Sequence, residues 1–553
     1  MKIALIQQNY HIGNFEENTN KIIEGIKKAT KEGAELAVFS ELCITGYPPQ
    51  DFLEFDDFIE RTNKSIESIA AETQNIGVII GAPTRNESLL GKNLYNSAIY
   101  LYKGKVQQVV NKTLLPNYDV FDEYRYFEPN REFNCIQHLD KKIALVVCED
   151  SWDIEEDVLY TINPTDELKK QNPQLIINIS ASPFSYAHAG SRKKMMEWNT
   201  KRYNLPMVYV NNFGSQTELI FDGGSLMYNS SGELVAELKY FEEDFAIVDT
   251  ESMSKVESVN RTDIQNIHDA LVLGIRDYFK KLGFTQATLG LSGGIDSAVT
   301  AVLAQRALGK ENVHVLLMPS QYSSDHSIND AKALAENLGI KYDVVAIKEM
   351  YDSFDKNLQP FFKETAPDVT EENIQARIRG VLLMALSNKF KYVLLNTSNK
   401  SEVAVGYGTL YGDMCGGIAV LGDIYKTQIY ELARYINKDS EVIPVNSISK
   451  PPSAELRPGQ KDSDSLPEYD VLDKILYEYI ELRKGPKELM NMGFDAALVA
   501  RVLRLVNINE YKRAQTPPIL RISDKAFGMG RRMPIVGKYL SGVLLILLLL
   551  FVQ

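Results

Sequence analysis

The chain has 553 residues, 44% of them hydrophobic and 24% charged, with a net charge of -13. That length exceeds what one hydrophobic core usually serves, so two domains of roughly 250 residues each are expected in an ordinary soluble globular protein. The acidic charge is spread without a basic block, which argues against a nucleic-acid partner. Cys43, Cys135, Cys148 and Cys415 form no C-x-x-C pair and no framework spacing, so neither a zinc site nor disulfide stapling is indicated and a reducing, cytoplasmic setting fits. The first residues run straight into a polar segment, without the apolar core and cleavage site of a signal peptide, so neither export nor a membrane partner is expected.

The first half alternates strands and helices. Residues 2–7 read as a short apolar strand, and Asn14-Phe15-Glu16-Glu17 has the shape of a capping box that opens a helix. Ile22, Ile23, Ile26 and Ala29 recur at helical spacing, and Gly33 stands where a left-handed cap is wanted. Candidate strands follow at 35–41, 76–82, 98–102, 105–112, 142–148 and 175–180, with Lys103-Gly104 as a hairpin turn.

Residues 251–261 are polar and Ser-rich, and the next helix carries Ile264, Ile267, Leu271, Ile275 and Phe279 on one face. The boundary belongs there, giving domains at 1–255 and 256–540 and an atypical tail at 541–553. The second half runs strand 288–291, helix from 297, strand 313–318, helix 327–338, strand 342–347, helix 372–389 and strand 392–396, which is the pattern of a doubly wound parallel sheet. Residues 450–467, rich in Pro, Ser and Asp, read as a long loop near a site. The apolar run 543–552 would cross only about half of a ~30 Å hydrocarbon core at ~1.5 Å per residue. We read it as an oddity such as an altered reading frame, ahead of a buried terminal helix.

Three chemically unlike residues close predicted strands: Glu41 in A-V-F-S-E, Lys112 in Q-V-V-N-K and Cys148 in A-L-V-V-C. Each alone has a bland explanation, a small buried thiol or a solvated charge. Together, at strand ends that converge, they suit amide cleavage. Cys148 would attack the amide carbon, Glu41 would carry the thiol proton to departing ammonia, and Lys112 would stabilise the oxyanion and bias the thiol toward thiolate. With S-E-L-C-I-T-G-Y-P, N-K-T-L-L-P-N-Y-D-V-F-D-E and V-C-E-D-S-W around them, the first ~255 residues resemble the nitrilase superfamily and its glutaminase members. The resemblance implies an α-β-β-α sandwich with Glu41, Lys112 and Cys148 as catalytic triad, and glutamine held by Tyr118, Glu149 and Ser182. The family usually has a basic residue six positions after that serine. His188 stands there in this chain, with Arg192 the nearest alternative for glutamine's carboxylate.

In the second half, Gly290-Leu291-Ser292-Gly293-Gly294-Ile295-Asp296-Ser297 follows a strand and opens a helix, so its N–H groups can cradle phosphate. Neither a Walker A loop nor a G-x-G-x-x-G fingerprint occurs. S-G-G-I-D-S resembles the pyrophosphate loop of N-type ATP pyrophosphatases. M-P-S-Q-Y-S-S, E-N-I-Q-A-R, N-T-S-N-K-S-E, Y-G-D-M-C-G-G, K-P-P-S-A-E-L and K-A-F-G-M-G-R-R are similar to NAD synthetases, up to about Lys538. The resemblance implies ATP contacts from residues 290–297, Thr397, Lys426 and Ser453, and Mg²⁺ on Asp296 and Glu402. It further implies deamido-NAD contacts from Asn373, Arg377, Glu402 and Lys512, with a homo-oligomer expected. Without those strings, Thr397 and Ser453 would be ordinary cap or turn residues. Ammonia freed at Cys148 would have to reach an adenylate as neutral NH₃, so an enclosed path is expected. The rivals are an amidotransferase with another acceptor and a non-catalytic binding protein of the same fold.

Overall fold

The computed structural model describes residues 1–88, 90–152, 159–186, 188–363 and 365–539, the side chains of 188 and 189 excepted. The apolar run 543–552 lies outside the described residues. Two compact units divide the chain, Met1–Arg261 and one that begins at Thr262. Among the described residues no helix is long and apolar enough to cross a membrane.

The strands of the first unit are β1 Lys2–Gln7, β2 Leu36–Val38, β3 Gly77–Arg85, β4 Leu94–Tyr102, β5 Lys105–Asn111, β6 Ile136–His138, β7 Lys141–Val147, β8 Leu175–Ser180, β9 Met207–Asn211, β10 Phe213–Gln216, β11 Leu219–Asp222, β12 Leu226–Tyr228, β13 Leu234–Glu237 and β14 Asp244–Asp249. They build one six-stranded sheet in the order β14-β1-β2-β3-β4-β5, a second in the order β13-β12-β9-β8-β7-β6, and a β10-β11 pair. Both large sheets are mixed: β1, β2 and β3 run parallel with antiparallel strands outside them, as do β7, β8 and β9.

Side-chain alternation assigns the layers. Ile3 and Leu5 of β1 share a buried cluster with Ile143, Leu145 and Val147 of β7, so the two sheets face each other. The intervening Ala4 and Ile6 pack with Ile22 and Ile26 of the helix Phe15–Lys31 and with Ile66 and Ile69 of the helix Asp56–Ala71. Ala144 and Val146 pack with Met195 and Met196 of the helix His188–Tyr203. Covered on both faces, these strands read as continuous apolar runs.

Local signals act as the sequence predicts. The Asn14 side chain accepts from the Glu17 backbone N–H, although the Glu17 carboxylate accepts from Asn14 Nδ2, which completes only half of a capping box. Gly33 is left-handed at φ 79°, and Lys103 and Gly104, at φ 55° and 76°, join β4 to the antiparallel β5. The predicted strand ends need correction. Glu41 lies in a turn beyond β2, Lys112 follows β5, and Cys148 opens a short 3₁₀ turn after β7. Each of these residues leaves the ladder in order to turn its side chain inward.

In the second unit, β15 Ala287–Gly290, β16 Val313–Leu317, β17 Lys341–Val344, β18 Val393–Asn396 and β19 Ile418–Ala419 form a fully parallel sheet ordered β17-β16-β15-β18-β19. Strand order reverses between β15 and β18, which makes the crevice beyond their carboxyl ends the expected binding position. The helix Asp263–Leu282, capped by the Thr262 side chain and closed by left-handed Gly283, opens this unit. The helix predicted at 372–389 starts earlier, at Val369, because Asp368 caps the Thr370 N–H and Glu371 answers to the Asp368 N–H. Beyond the last predicted strand, the helices Tyr469–Ile480 and Ala496–Ile508 pack Leu472, Leu476, Val499 and Leu503 against Val403 and Ala404.

Gly81 on β3 shows how the fold positions Glu41. A Cβ there would lie 2.3 Å from the Leu42 nitrogen and 2.7 Å from Glu41 Cα, so only glycine lets the turn sit on the strand. Gly81→Ala is expected to lower the unfolding free energy in urea by roughly 1–3 kcal/mol. A change well below that would show that the turn yields freely.

Candidate active sites

The first site joins both sheets of the first unit. Lys112, with 0% of its side chain exposed, places Nζ 2.8 Å from Glu41 Oε1 and 2.8 Å from Glu123 Oε1. Asn96 Nδ2 donates to the same two carboxylates at 2.7 Å and 3.3 Å, the Ala181 N–H donates to Glu41 Oε2 at 2.8 Å, and the Tyr47 hydroxyl donates to Glu123 at 2.9 Å. Cys148 comes from the opposing sheet, buried and left-handed at φ 45°. A side-chain-bearing residue there costs roughly 1–3 kcal/mol and persists only where its surroundings hold it. Asn178 holds it: its Oδ1 accepts the Cys148 N–H at 2.9 Å, and its Nδ2 donates to the Cys148 carbonyl at 3.0 Å. Asp150 ties the two strand ends together by accepting the Thr113, Leu114 and Val147 N–H groups.

Charges at this site are set by burial and by one another. Burial alone would depress the Lys112 ammonium, yet Glu123 and then Glu41 outweigh it and hold the group protonated well above the usual lysine range. Burial pushes the Glu123 carboxyl up to about 7, against the pull of Lys112. Lys112 does pull the Cys148 thiol toward thiolate, as expected, but other influences oppose it. Burial and then Glu41 push the thiol well up, and Lys112 offsets this only in part because its charge is balanced by two carboxylates. Glu41 is the carboxylate whose charge acts most on this thiol, which marks it as the candidate acceptor of the thiol proton.

Of the residues predicted to hold glutamine, Glu149 is buried next to Cys148 and accepts from the Tyr118 hydroxyl at 2.8 Å and the Tyr160 hydroxyl at 2.9 Å. Ser182 is buried, with its N–H donating to Asn211 Oδ1 at 2.9 Å. His188 opens the helix His188–Tyr203, and its side chain lies outside the described residues. Arg192 is corrected as the alternative carboxylate contact. It is buried in a bidentate pair with Asp222, at 2.8 Å and 3.2 Å, which consumes its charge. Sequence reasoning missed Glu123, Asn96, Tyr160 and Asp150. Glu123 and Asp150 carried a signal: Glu123 closes the N-K-T-L-L-P-N-Y-D-V-F-D-E string, and Asp150 belongs to an acidic pair directly after an apolar strand.

The second site is a cavity of about 320 Å³ at the switch point of the parallel sheet. Its wall includes Gly290, Leu291, Ser292, Gly294, Ile295, Asp296 and Ser297, with Thr397, Glu402, Lys426 and Ser453, so most predicted ATP contacts face one space. Gly293 is not part of that wall. It is left-handed at φ 81°, a Cβ would lie 2.2 Å from the Ser327 carbonyl oxygen, and its own carbonyl accepts from Ser447. No side chain caps the helix Ile295–Leu308, which leaves its N-terminus suited to phosphate. Ser453 Oγ donates to the Gln460 carbonyl at 2.6 Å and so also braces its own loop.

Lys426 Nζ sits 2.5 Å from Asp296 Oδ2 and 3.5 Å from Glu402 Oε1, so both carboxylates face one point. Burial pushes Glu402 up to about 8, while Asp296 and Glu402 overcome burial to hold Lys426 well above the usual lysine range. Among the described residues no group of three or more His, Cys, Asp or Glu could hold a metal ion. The pair Asp296 and Glu402 still fits Mg²⁺ as two hard oxygen donors whose remaining ligands would be phosphate and water. Asn373, Arg377 and Lys512 do not line this cavity. They gather around the loop at 406–410: Asn373 Oδ1 accepts from Thr409, Arg377 Nε donates to the Leu410 carbonyl, and Lys512 Nζ donates to the Gly406 and Gly408 carbonyls.

A thiol, lysine and carboxylate cluster between two mixed sheets, followed by a nucleotide-type cavity in a parallel sheet, defines a ligase of the amidotransferase kind. Residues 2–259 match the carbon-nitrogen hydrolase family and residues 267–516 the NAD synthase family. Glutamine-dependent NAD(+) synthetase of Synechocystis sp. is 44% identical, over 96% of this chain and 98% of its own length. That of Acinetobacter baylyi is 42% identical, over 97% and 98%. The structure of the Acinetobacter baumannii glutamine-dependent NAD+ synthetase in complex with ADP superposes with a TM-score of 0.77 at 40% identity, covering 97% of this chain and 99% of that one. The chain belongs to the glutamine-dependent NAD(+) synthetase family.

The raised Glu123 carboxyl has a sign-definite effect on stability. The unfolded chain releases this proton near 4.5 and the folded one near 7, so between those pH values the folded unit holds more protons and its stability falls as pH rises. Glu123→Gln should flatten urea unfolding midpoints across that interval, at lower overall stability. Part of the slope should remain, because burial also pushes Asp150 up to about 7. An unchanged slope would show that Glu123 is ionised throughout.

Proposed function

We infer that this chain carries out glutamine-dependent NAD⁺ synthesis from deamido-NAD. The observation that carries this reading is the Glu41–Lys112–Cys148 cluster and the Asp296–Lys426–Glu402 cavity in a single chain, related to such synthetases along nearly its whole length.

In the first unit Cys148 Sγ attacks the side-chain amide carbon of glutamine while Glu41 takes the thiol proton. Lys112 meets the oxyanion, and Glu41 delivers its proton to the amide nitrogen as ammonia leaves a thioester. Water then adds to the thioester, Glu41 takes the water proton and returns it to sulfur, and glutamate departs. Glu149, Tyr118 and Ser182 hold the substrate, and His188 is the candidate for its carboxylate.

In the second unit the loop 290–297, Thr397, Lys426 and Ser453 bind ATP, and Asn373, Arg377, Glu402 and Lys512 bind deamido-NAD. Asp296 and Glu402 would hold Mg²⁺, which neutralises phosphate charge when bound. The nicotinate carboxylate attacks the α-phosphorus, pyrophosphate leaves beside Lys426, and neutral ammonia displaces AMP from the adenylate to give the amide. Ammonia must arrive as neutral NH₃, because ammonium has no lone pair for the attack. Four free cysteines support a reducing, cytoplasmic setting.

A homo-oligomer is supported by the helix Val369–Phe390, which leaves Val381 67% and Met384 37% exposed one turn apart, an apolar spot suited to a second copy. Val381→Glu should shift light-scattering mass toward a smaller species; an unchanged mass would sink this reading. Cys148→Ala should abolish NAD⁺ formation from glutamine and leave synthesis from added ammonia within about a factor of two. Equal loss of both would refute the division of roles. AMP formation that needs some other acceptor would point to a different amidotransferase, and glutamine left intact by the wild type would point to a binding protein.

A further inference from the structure

The nucleotide cavity holds a cation that no predicted contact includes. The helix Val369–Phe390 turns Ala376, Arg379, Gly380 and Leu383 toward the cavity at helical spacing, and Arg379 is the polar member of that face. Its small neighbours bring the opposite wall close: a Cβ on Gly380 would lie 3.1 Å from the Gly412 carbonyl oxygen, and Gly412 packs on Ala376.

The other cavity cations are matched. Lys426 lies between Asp296 and Glu402, and Lys450 lies 3.7 Å from Asp330 and 3.0 Å from Ser327 Oγ. Arg379 differs. Its Nε donates to the Met318 carbonyl at 3.1 Å, and among the described residues no carboxylate reaches it within the 4.0 Å of an ion pair. Asp413 and Glu455 act on it only at longer range, and burial pulls it down to about 10. Both acids are engaged elsewhere, Asp413 by the Thr409 N–H and Glu455 by Ser324 and Ser327. A guanidinium enclosed without a counter-ion is costly unless an anion joins it, and its planar fork matches phosphoryl oxygens.

We propose that Arg379 is a substrate-binding residue that presents its unused guanidinium N–H groups to a phosphate of the nucleotide entering this cavity. The assignment rests on the ATP-dependent reading of the second unit. Both ATP and deamido-NAD carry phosphates, and the test separates them.

Calorimetric titration of the full chain, Arg379→Gln and Arg379→Lys with ADP and, separately, with deamido-NAD reads the contact without turnover. Arg379→Gln should weaken at least one ligand by roughly ten- to a hundred-fold, the effect of losing a charge-assisted bond. Arg379→Lys should recover part of it, because an ammonium supplies charge without the fork. The ligand-free Tm should stay level or rise, since an unmatched, partly buried charge is removed, and glutamine hydrolysis at Cys148 should be unchanged. A loss confined to ADP places the phosphate on ATP; a loss confined to deamido-NAD places it there. Unchanged affinity for both ligands overturns the proposal. So does a lowered Tm that Arg379→Lys restores no better than it restores binding. A wild type that binds ADP but makes no NAD⁺ would overturn the functional reading and leave the Arg379 comparison intact.

Discussion

A lysine ammonium with no exposed surface must be neutralised where it stands, and Lys112 is neutralised by Glu41 and Glu123 together. Removing one partner of such a group leaves a charge stranded in low dielectric, at a cost of about 3–5 kcal/mol. The requirement therefore fixes the geometry of everything nearby. Glu41 must turn off β2, which needs Gly81 on the neighbouring strand, and Glu123 must come in from a short helix. Asn96 and the Ala181 N–H fill the remaining lone pairs. Burial first and Glu41 second then push the Cys148 thiol up, with Lys112 pulling the other way.

The second unit applies the same physics with the same signs. There one ammonium, Lys426, draws together two carboxylates from separate helix starts, Asp296 and Glu402. Asn399 reinforces the arrangement by donating to Asp296 at 2.9 Å while its own Oδ1 accepts the Glu402 N–H. The resulting cluster is compact and lies where strand order reverses, with an uncapped helix N-terminus beside it. Phosphate chemistry is favoured by all three features: a fixed ammonium, paired hard oxygens and free N–H groups.

Against this balance, two arginines illustrate how context divides like residues. Arg192 is matched by Asp222 and is thereby a structural brace of the first unit. Arg379 has a carbonyl for its Nε and no ion-pair partner among the described residues. Side-chain type is the same; the difference lies in whether a carboxylate from a distant strand completes the pair.

The alternation of strands and helices up to residue 180 and again from 288 to 396, the parallel-sheet class of the second half and the candidacy of Glu41, Lys112, Cys148 and the 290–297 loop were legible in the sequence, and resemblance to a family added the two-sheet class; the strands from 207 to 249 were not foreseen. Hydrophobic period, caps and glycine turns are local, and a short window of residues encodes each of them. Asn96 and Tyr160 became visible only in the tertiary structure, as did the contacts of Glu123 and Asp150, the removal of Arg192 from the glutamine candidates and that of Gly293 from the cavity wall. Those outcomes depend on which groups from remote segments share one dehydrated volume, and a buried charge takes its meaning from partners that spacing along the chain does not reveal.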